Sequence, residues 1–197
     1  MQIRHLTGEA IREHSAAIAR LRIRVFREYP YCYEGNEDYE RHYLTGLIED
    51  KQALVLVAEE AGEIVAAATS LPLMGPADIT AAAVPLFRGA QEDPTNYYYF
   101  SEILVLPPYR QRGIAGTFYR KRMQFAQDLG YRHLCFAAVI NQAPKPAGYF
   151  DPTPLWHKLG FTPRPELVID YSWPTRQGDG RVVDQVHQLM FWTGNGP

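Results

Sequence analysis

Residues 105–117, Val-Leu-Pro-Pro-Tyr-Arg-Gln-Arg-Gly-Ile-Ala-Gly-Thr, carry the densest chemistry in this chain. Two prolines close an apolar run, a cationic turn follows, and Gly113 and Gly116 open an amphipathic segment. Amides at the start of a helix have no intrahelical acceptor, and the helix dipole adds about half a positive charge there. Small residues at Gly113, Ala115 and Gly116 leave that backbone bare. A pyrophosphate can approach it, with Arg110 and Arg112 adding charge-assisted bonds. The same stretch also reads as a tight strand–helix turn with solvated arginines. A Walker A loop does not fit, because Thr117 and Phe118 follow Gly116 where Lys-Ser/Thr belongs. The dinucleotide fingerprint fails on its glycine spacing and its missing acidic residue.

A second candidate is Glu102, the lone acid in the apolar run 97–106. Burying a carboxylate is costly, so it either accepts protons in a site or is a salt-bridged or edge-exposed glutamate. Strand alternation predicts Tyr99, Ser101 and Ile103 on the face opposite Glu102. Chemistry on that face would fall to Tyr99, or to Ser101 with a water. The loop 27–40, Arg-Glu-Tyr-Pro-Tyr-Cys-Tyr-Glu-Gly-Asn-Glu-Asp-Tyr-Glu, offers Tyr29, Tyr31 and Tyr33 beside Glu34, Glu37 and Asp38. Aromatic walls with acids suit a cationic amine. The same patch could pack on the domain or on a second subunit, which leaves a homodimer open.

The six histidines are scattered without HExxH spacing, and Cys32 and Cys135 are far apart. No metal site and no disulfide framework are expected. At 197 residues, 46% hydrophobic and 21% charged, the chain is expected to form a single domain over 1–197. A net charge of −2 argues against nucleic acid as a partner. The N-terminus lacks an apolar signal region, and no run of about 18 apolar residues occurs. No membrane partner and a cytoplasmic location are expected.

The elements that must position these residues follow from patterning. Residues 1–6 alternate as a strand, and Thr7 reads as the cap of a helix carrying Ile11, Ile18, Leu21 and Val25 on one stripe. Residues 36–48 read as a second helix. Residues 53–58 and 64–71 read as a hairpin turning at Glu60-Ala61-Gly62-Glu63. The proline-rich segment 72–95 reads as a loop or short-helix insertion. A long apolar strand then leads into the glycine turn and a helix ending at Gly130. Residues 133–140 read as a strand covered on both faces, 153–161 as a short helix, and two strands close the chain.

Arg110-Gln111-Arg112-Gly113-Ile114-Ala115 resembles the (Arg/Gln)-x-x-Gly-x-(Gly/Ala) signature of the GNAT N-acetyltransferase superfamily. The preceding Ile103–Arg110 run resembles its Val-x-Pro-x-Tyr-Arg strand end, and Trp156-His-Lys-Leu-Gly-Phe161 its Tyr-x-Lys-Leu-Gly-Phe helix end. The element order matches over essentially the whole chain. The resemblance implies an α/β fold with a central mixed, mostly antiparallel twisted sheet of about seven strands flanked by about four helices. It implies acetyl transfer from acetyl-CoA to a small-molecule or peptide amine by direct attack. Main-chain groups of Ile103, Leu104 and Val105 would pair with pantetheine, amides from Gln111 to Gly116 would hold the pyrophosphate with Thr117 beside them, and Asn141 falls where the family often has an asparagine. Glu102 would be the base, with Tyr99 as the alternative. Trp156 departs from the family, because its position is where a tyrosine commonly protonates the leaving thiolate. Tyr149 could take that part from the preceding turn. The departure also makes a non-catalytic acyl-CoA sensor the competing reading.

Overall fold

The computed structural model describes residues 1–140 and 144–196. Seven strands form one sheet in the order β1-β2-β3-β4-β5-β7-β6. They are β1 Gln2–Leu6, β2 Leu54–Glu60, β3 Glu63–Pro72, β4 Tyr97–Val105, β5 His133–Val139, β6 Thr162–Arg176 and β7 Val182–Asn195. The helices are α1 Glu9–Phe26, α2 Glu37–Glu49, α3 Thr80–Gly89, α4 Ile114–Asp128 and α5 Thr153–Lys158. The proline-rich insertion thus contains a full helix, α3. Only β4 and β5 run parallel, and every other pairing is antiparallel.

The β2–β3 hairpin turns at Ala61 and Gly62, both at positive φ (51° and 82°), as a two-residue turn between right-twisted strands requires. At the start of α1, Thr7 does not cap. Gly8 takes the N-cap position at φ 49° with no side-chain bond, and Thr7 accepts through its carbonyl, from the Ala10 N–H. In α2 the cap is a side chain: Asn36 Oδ1 accepts from the Tyr39 N–H at 2.9 Å.

Aromatic residues of β4 divide between two cores. Tyr97 and Tyr99 pack with Phe87 and Phe191, whereas Tyr98 and Phe100 pack with Tyr119, Phe161 and Trp192. That alternation stops at a bulge. Between the pairs Leu71–Tyr99 and Thr69–Glu102, β3 advances two residues while β4 advances three. A bulge bends its strand and increases the local twist. β4 meets β5 only through Tyr97–Tyr99 and His133–Cys135. Beyond Tyr99 the two parallel strands splay, and a cleft opens between them.

The hairpin of β6 and β7 is longer than its apolar runs predict, since the outer half of β7 is largely exposed. Segment 31–34 of the α1–α2 loop attaches to it. Tyr33 bridges Thr175, the Glu34 N–H donates to the Pro174 carbonyl, and the Arg176 N–H donates to the Cys32 carbonyl, both at 2.8 Å.

Candidate active site

The turn before α4 is built as a nest of amides. Gln111 and Gly113 both have positive φ (61° and 80°), a left-handed geometry that aims successive N–H groups into a concavity. Gly113 is the N-cap with no side-chain bond. The first closed helical bond runs from the Thr117 N–H to the Gly113 carbonyl, so the amides of Ile114, Ala115 and Gly116 have no acceptor one turn back. These residues border a cleft of about 770 Å³ running down the open edge of β4 past Ile103 and Val105 to Ser101 and Glu102. Bare donors at one end and an unpaired strand edge along the side fit the pyrophosphate and amide arm of a coenzyme A thioester.

Of the residues expected there, Ile103, Val105, Arg110, Gln111, Gly113, Ile114, Ala115 and Gly116 line the cleft. Leu104 turns its side chain into the core, Arg112 lies over the Tyr109 ring, and the Thr117 hydroxyl bonds the Gly113 carbonyl. Arg110 is committed to Glu28 at 2.8 Å and to the Val105 carbonyl. Asn141 lies outside the described residues. Arg122 is 1% exposed. Its Nη1 donates to the Glu102 carbonyl at 3.0 Å and the Thr69 carbonyl at 3.3 Å, the two residues that flank the bulge. Its guanidinium lies over the rings of Phe100 and Tyr119, and burial lowers its pKa to about 10.

A second cavity of about 310 Å³ lies on the Tyr99 side of the sheet, between α1, α2 and the β6–β7 hairpin. Ser101 and Glu102 line both cavities. This corrects the alternation argument: the bulge in β4 brings Tyr99, Ser101 and Glu102 onto one cavity instead of opposite faces. Glu102 Oε1 pairs with Arg22 Nη1, Arg22 Nε pairs with Glu40, and Glu102 Oε2 is buried with no hydrogen-bond partner. The Arg22 guanidinium sits 3.8 Å over the Tyr43 ring, and the Tyr43 and Ser101 hydroxyls are 2.6 Å apart. Tyr31 and Tyr33 line this cavity, whereas Tyr29 lines the cleft, edge-on to Tyr149 at 4.9 Å. Burial holds the Tyr99 phenol protonated far above the usual tyrosine range, so it cannot start as a base.

Phenols also gather where a leaving thiol would lie. Trp156 packs on Phe136 and Trp192 and walls the cleft with Tyr119, Tyr149 and Tyr31. Burial raises Tyr119, while the Arg122 charge and a hydrogen bond from Trp156 oppose that rise. Burial chiefly pushes Tyr31 up to about 12, with smaller contributions from Tyr149 and Tyr119. Sequence reading missed Arg22, Glu40, Tyr43, Tyr119 and Arg122. The one signal for them was charge on apolar helix stripes: Arg22 follows Leu21, and Arg122 stands four residues before Ala126.

Among the described residues, no three His, Cys, Asp or Glu side chains are grouped to hold a metal ion. No helix among the described residues is long and apolar enough to cross a membrane.

A splayed sheet with an amide nest at one end of its cleft and a carboxylate at the other is the architecture of an acyl-CoA-dependent transferase. The model of the Acetyltransferase (GNAT) family matches residues 18–161, and the chain belongs to that family. No curated protein matches it in sequence. Among solved structures it is similar to the ribosomal-protein-alanine N-acetyltransferase from Brucella melitensis, with 17% identity, a TM-score of 0.63 and 99% of each chain covered. An N-acetyltransferase from Staphylococcus aureus Mu50 gives 17% identity and a TM-score of 0.61, with 100% of each chain covered. The yncA protein from Salmonella typhimurium, solved with its cofactor acetyl-CoA, gives 15% identity and a TM-score of 0.59, covering 100% of this chain and 94% of that one. The protein is an acetyl-CoA-dependent acetyltransferase by family.

Proposed function

We propose that this protein transfers the acetyl group of acetyl-CoA to a primary amine held in the smaller cavity, with Glu102 as the proton acceptor. The observation that carries this is the Glu102 carboxylate at the junction of the two cavities, whose Oε2 is buried and unpartnered. Leaving a buried acceptor unmade costs about 1–3 kcal/mol. An amine N–H arriving from the cavity removes that cost and meets the atom that takes its proton.

The remaining residues divide the work. Arg22 holds Glu102 by Oε1, so Oε2 is the lone-pair face left toward the amine. The main chain of Ile103–Val105 binds the pantetheine arm, and the amides of residues 111–116 hold the pyrophosphate with the helix dipole behind them. When bound, acetyl-CoA supplies the activated acetyl group. Its leaving thiolate needs a proton, and the Trp156 indole N–H is too weak an acid to supply one. Tyr149 and Tyr119 are the candidate donors. The second is favoured, because Trp156 and the buried Arg122 both stabilise the phenolate that a donor leaves behind. The acceptor on this reading is a small-molecule or peptide amine, the latter after the ribosomal-protein-alanine enzyme of similar fold.

Glu102→Gln tests the reading. Turnover, followed as thiol release, should fall about a hundredfold or more, the scale of a lost general base. Acetyl-CoA affinity by calorimetry should stay within about twofold, since the amide nest is untouched. Undiminished turnover would remove Glu102 from the chemistry.

A further inference from the structure

We infer that the acceptor is a compact hydrophobic primary amine, aromatic in body and without a carboxylate, phosphonate or peptide chain attached. The inference rests on the amine-acetylating reading above and narrows it. Three observations carry it.

The first is charge. Among the described residues Arg22 is the only cation lining the acceptor cavity. Its guanidinium is already spent on Glu40 and Glu102 and covered by the Tyr43 ring. An acidic substituent on the acceptor would therefore enter a buried site with no cation free to meet it, next to two carboxylates. An ammonium meets the opposite: Glu102 inside, Asp78 at the mouth and a surplus of negative charge around a single arginine.

The second is the wall. Phe26, Tyr33, Tyr99, Tyr171 and Trp173 enclose a volume of about 310 Å³. Those faces suit an aromatic body and a cationic head.

The third is the roof. Over the top of the cavity the α1–α2 loop and the β6–β7 hairpin are stitched together, so no polypeptide can leave between them. Beyond the backbone bonds of residues 32–34 to 174–176, Trp173 Nε1 donates to the Tyr31 carbonyl at 2.9 Å, and Arg176 pairs with Glu34 at 2.6 Å. The open side is elsewhere, at exposed Asn36, Tyr39 and Asp78, where the Tyr39 hydroxyl donates to Asp78 at 2.7 Å. A small amine fits through that rim. A chain with its N-terminus at Glu102 has no course out through the roof.

The experiment compares 2-phenylethylamine, tyramine, phenylalanine and a peptide with an N-terminal alanine by thiol release from acetyl-CoA. The two carboxylate-free amines should exceed phenylalanine and the peptide at least a hundredfold in kcat/KM. In Asp78→Asn the KM for 2-phenylethylamine should rise about fivefold, whereas competitive inhibition by the uncharged 2-phenylethanol should not change. A purely structural role for Asp78 would shift both. Phenylalanine or the peptide turning over as well as the amines would overturn the inference and leave the transferase reading standing. If acetyl-CoA binds and no amine reacts, the transferase reading fails, and calorimetry of 2-phenylethylamine with the CoA-bound protein decides the cavity. Binding weakened by Asp78→Asn supports its selectivity, and no binding overturns it.

Discussion

The two cavities meet at Ser101 and Glu102 yet are made of different material. The cleft has aromatic walls, but what it offers a ligand along its length is backbone: an amide nest at one end and an open strand edge beside it. The smaller cavity is mostly side chains, and its charges arrive from α1, β4 and the loop before α3. Backbone recognises what every acyl-CoA shares, so that half can be built from one contiguous motif. Side chains recognise what one amine has and another lacks, and they converge from across the fold. Binding a common group and selecting a particular one are separate problems, and the proposed function assigns them to two sides of one bulged strand.

Gly113→Asp should break the backbone half hardest. A residue with a Cβ at φ 80° pays about 1 kcal/mol of strain, and no atom lies within 4 Å of the added Cβ, so the fold should survive. The carboxylate adds a negative charge to the amide nest proposed to hold the pyrophosphate, and calorimetry should give at least a hundredfold weaker acetyl-CoA binding. Gly113→Ala, with the strain and no charge, should lose far less. Equal affinity in the aspartate variant would remove the nest from the cofactor site.

Tyr119→Phe and Tyr149→Phe sharpen the comparison at the seam. Each removes one hydroxyl and little volume. The first should lower kcat about ten- to a hundredfold and flatten the alkaline limb of the pH–rate profile, and the second should cost about threefold or less. The reverse order would return the acid to the loop before α5.

Arg122→Met asks whether the bulge is held by charge. Removing a buried cation that no carboxylate neutralises relieves a desolvation cost and loses two carbonyl bonds, so the melting temperature should move little. Glu102 should lose its fixed position, with kcat falling about tenfold and acetyl-CoA affinity nearly kept. A large drop in melting temperature with kcat intact would make Arg122 structural only.

The smallest effect is in the roof. His187 stacks on Trp173 at 3.7 Å and hydrogen-bonds the Thr175 hydroxyl, and burial lowers its pKa below 6.5. A lowered folded-state pKa contributes stability fully above the unfolded value, and that stability is lost as pH falls through the folded one. The melting temperature should drop by a few degrees from pH 7 to pH 5. His187→Gln should reduce that slope without abolishing it, because His5 is lowered as well.

The sequence by itself determined what is local. The Ala61-Gly62 turn, the αL glycine opening α4, the helix stop at Gly130 and the element order are each written within a few residues, and the amide nest is one such local run. Tertiary structure decided what joins distant residues. Arg22 meets Glu40 and Glu102 across separations of 18 and 80 residues, and no spacing rule announces such a triad. Glu102 and Tyr99 share a cavity because the register with β3 forces a bulge that overrides a period of two. Arg122 is buried where it donates to the two carbonyls beside that bulge, 53 and 20 residues away in sequence. Periodicity describes one element facing one environment. A bulge, a buried ion pair and a roof each depend on which second element lies across from the first.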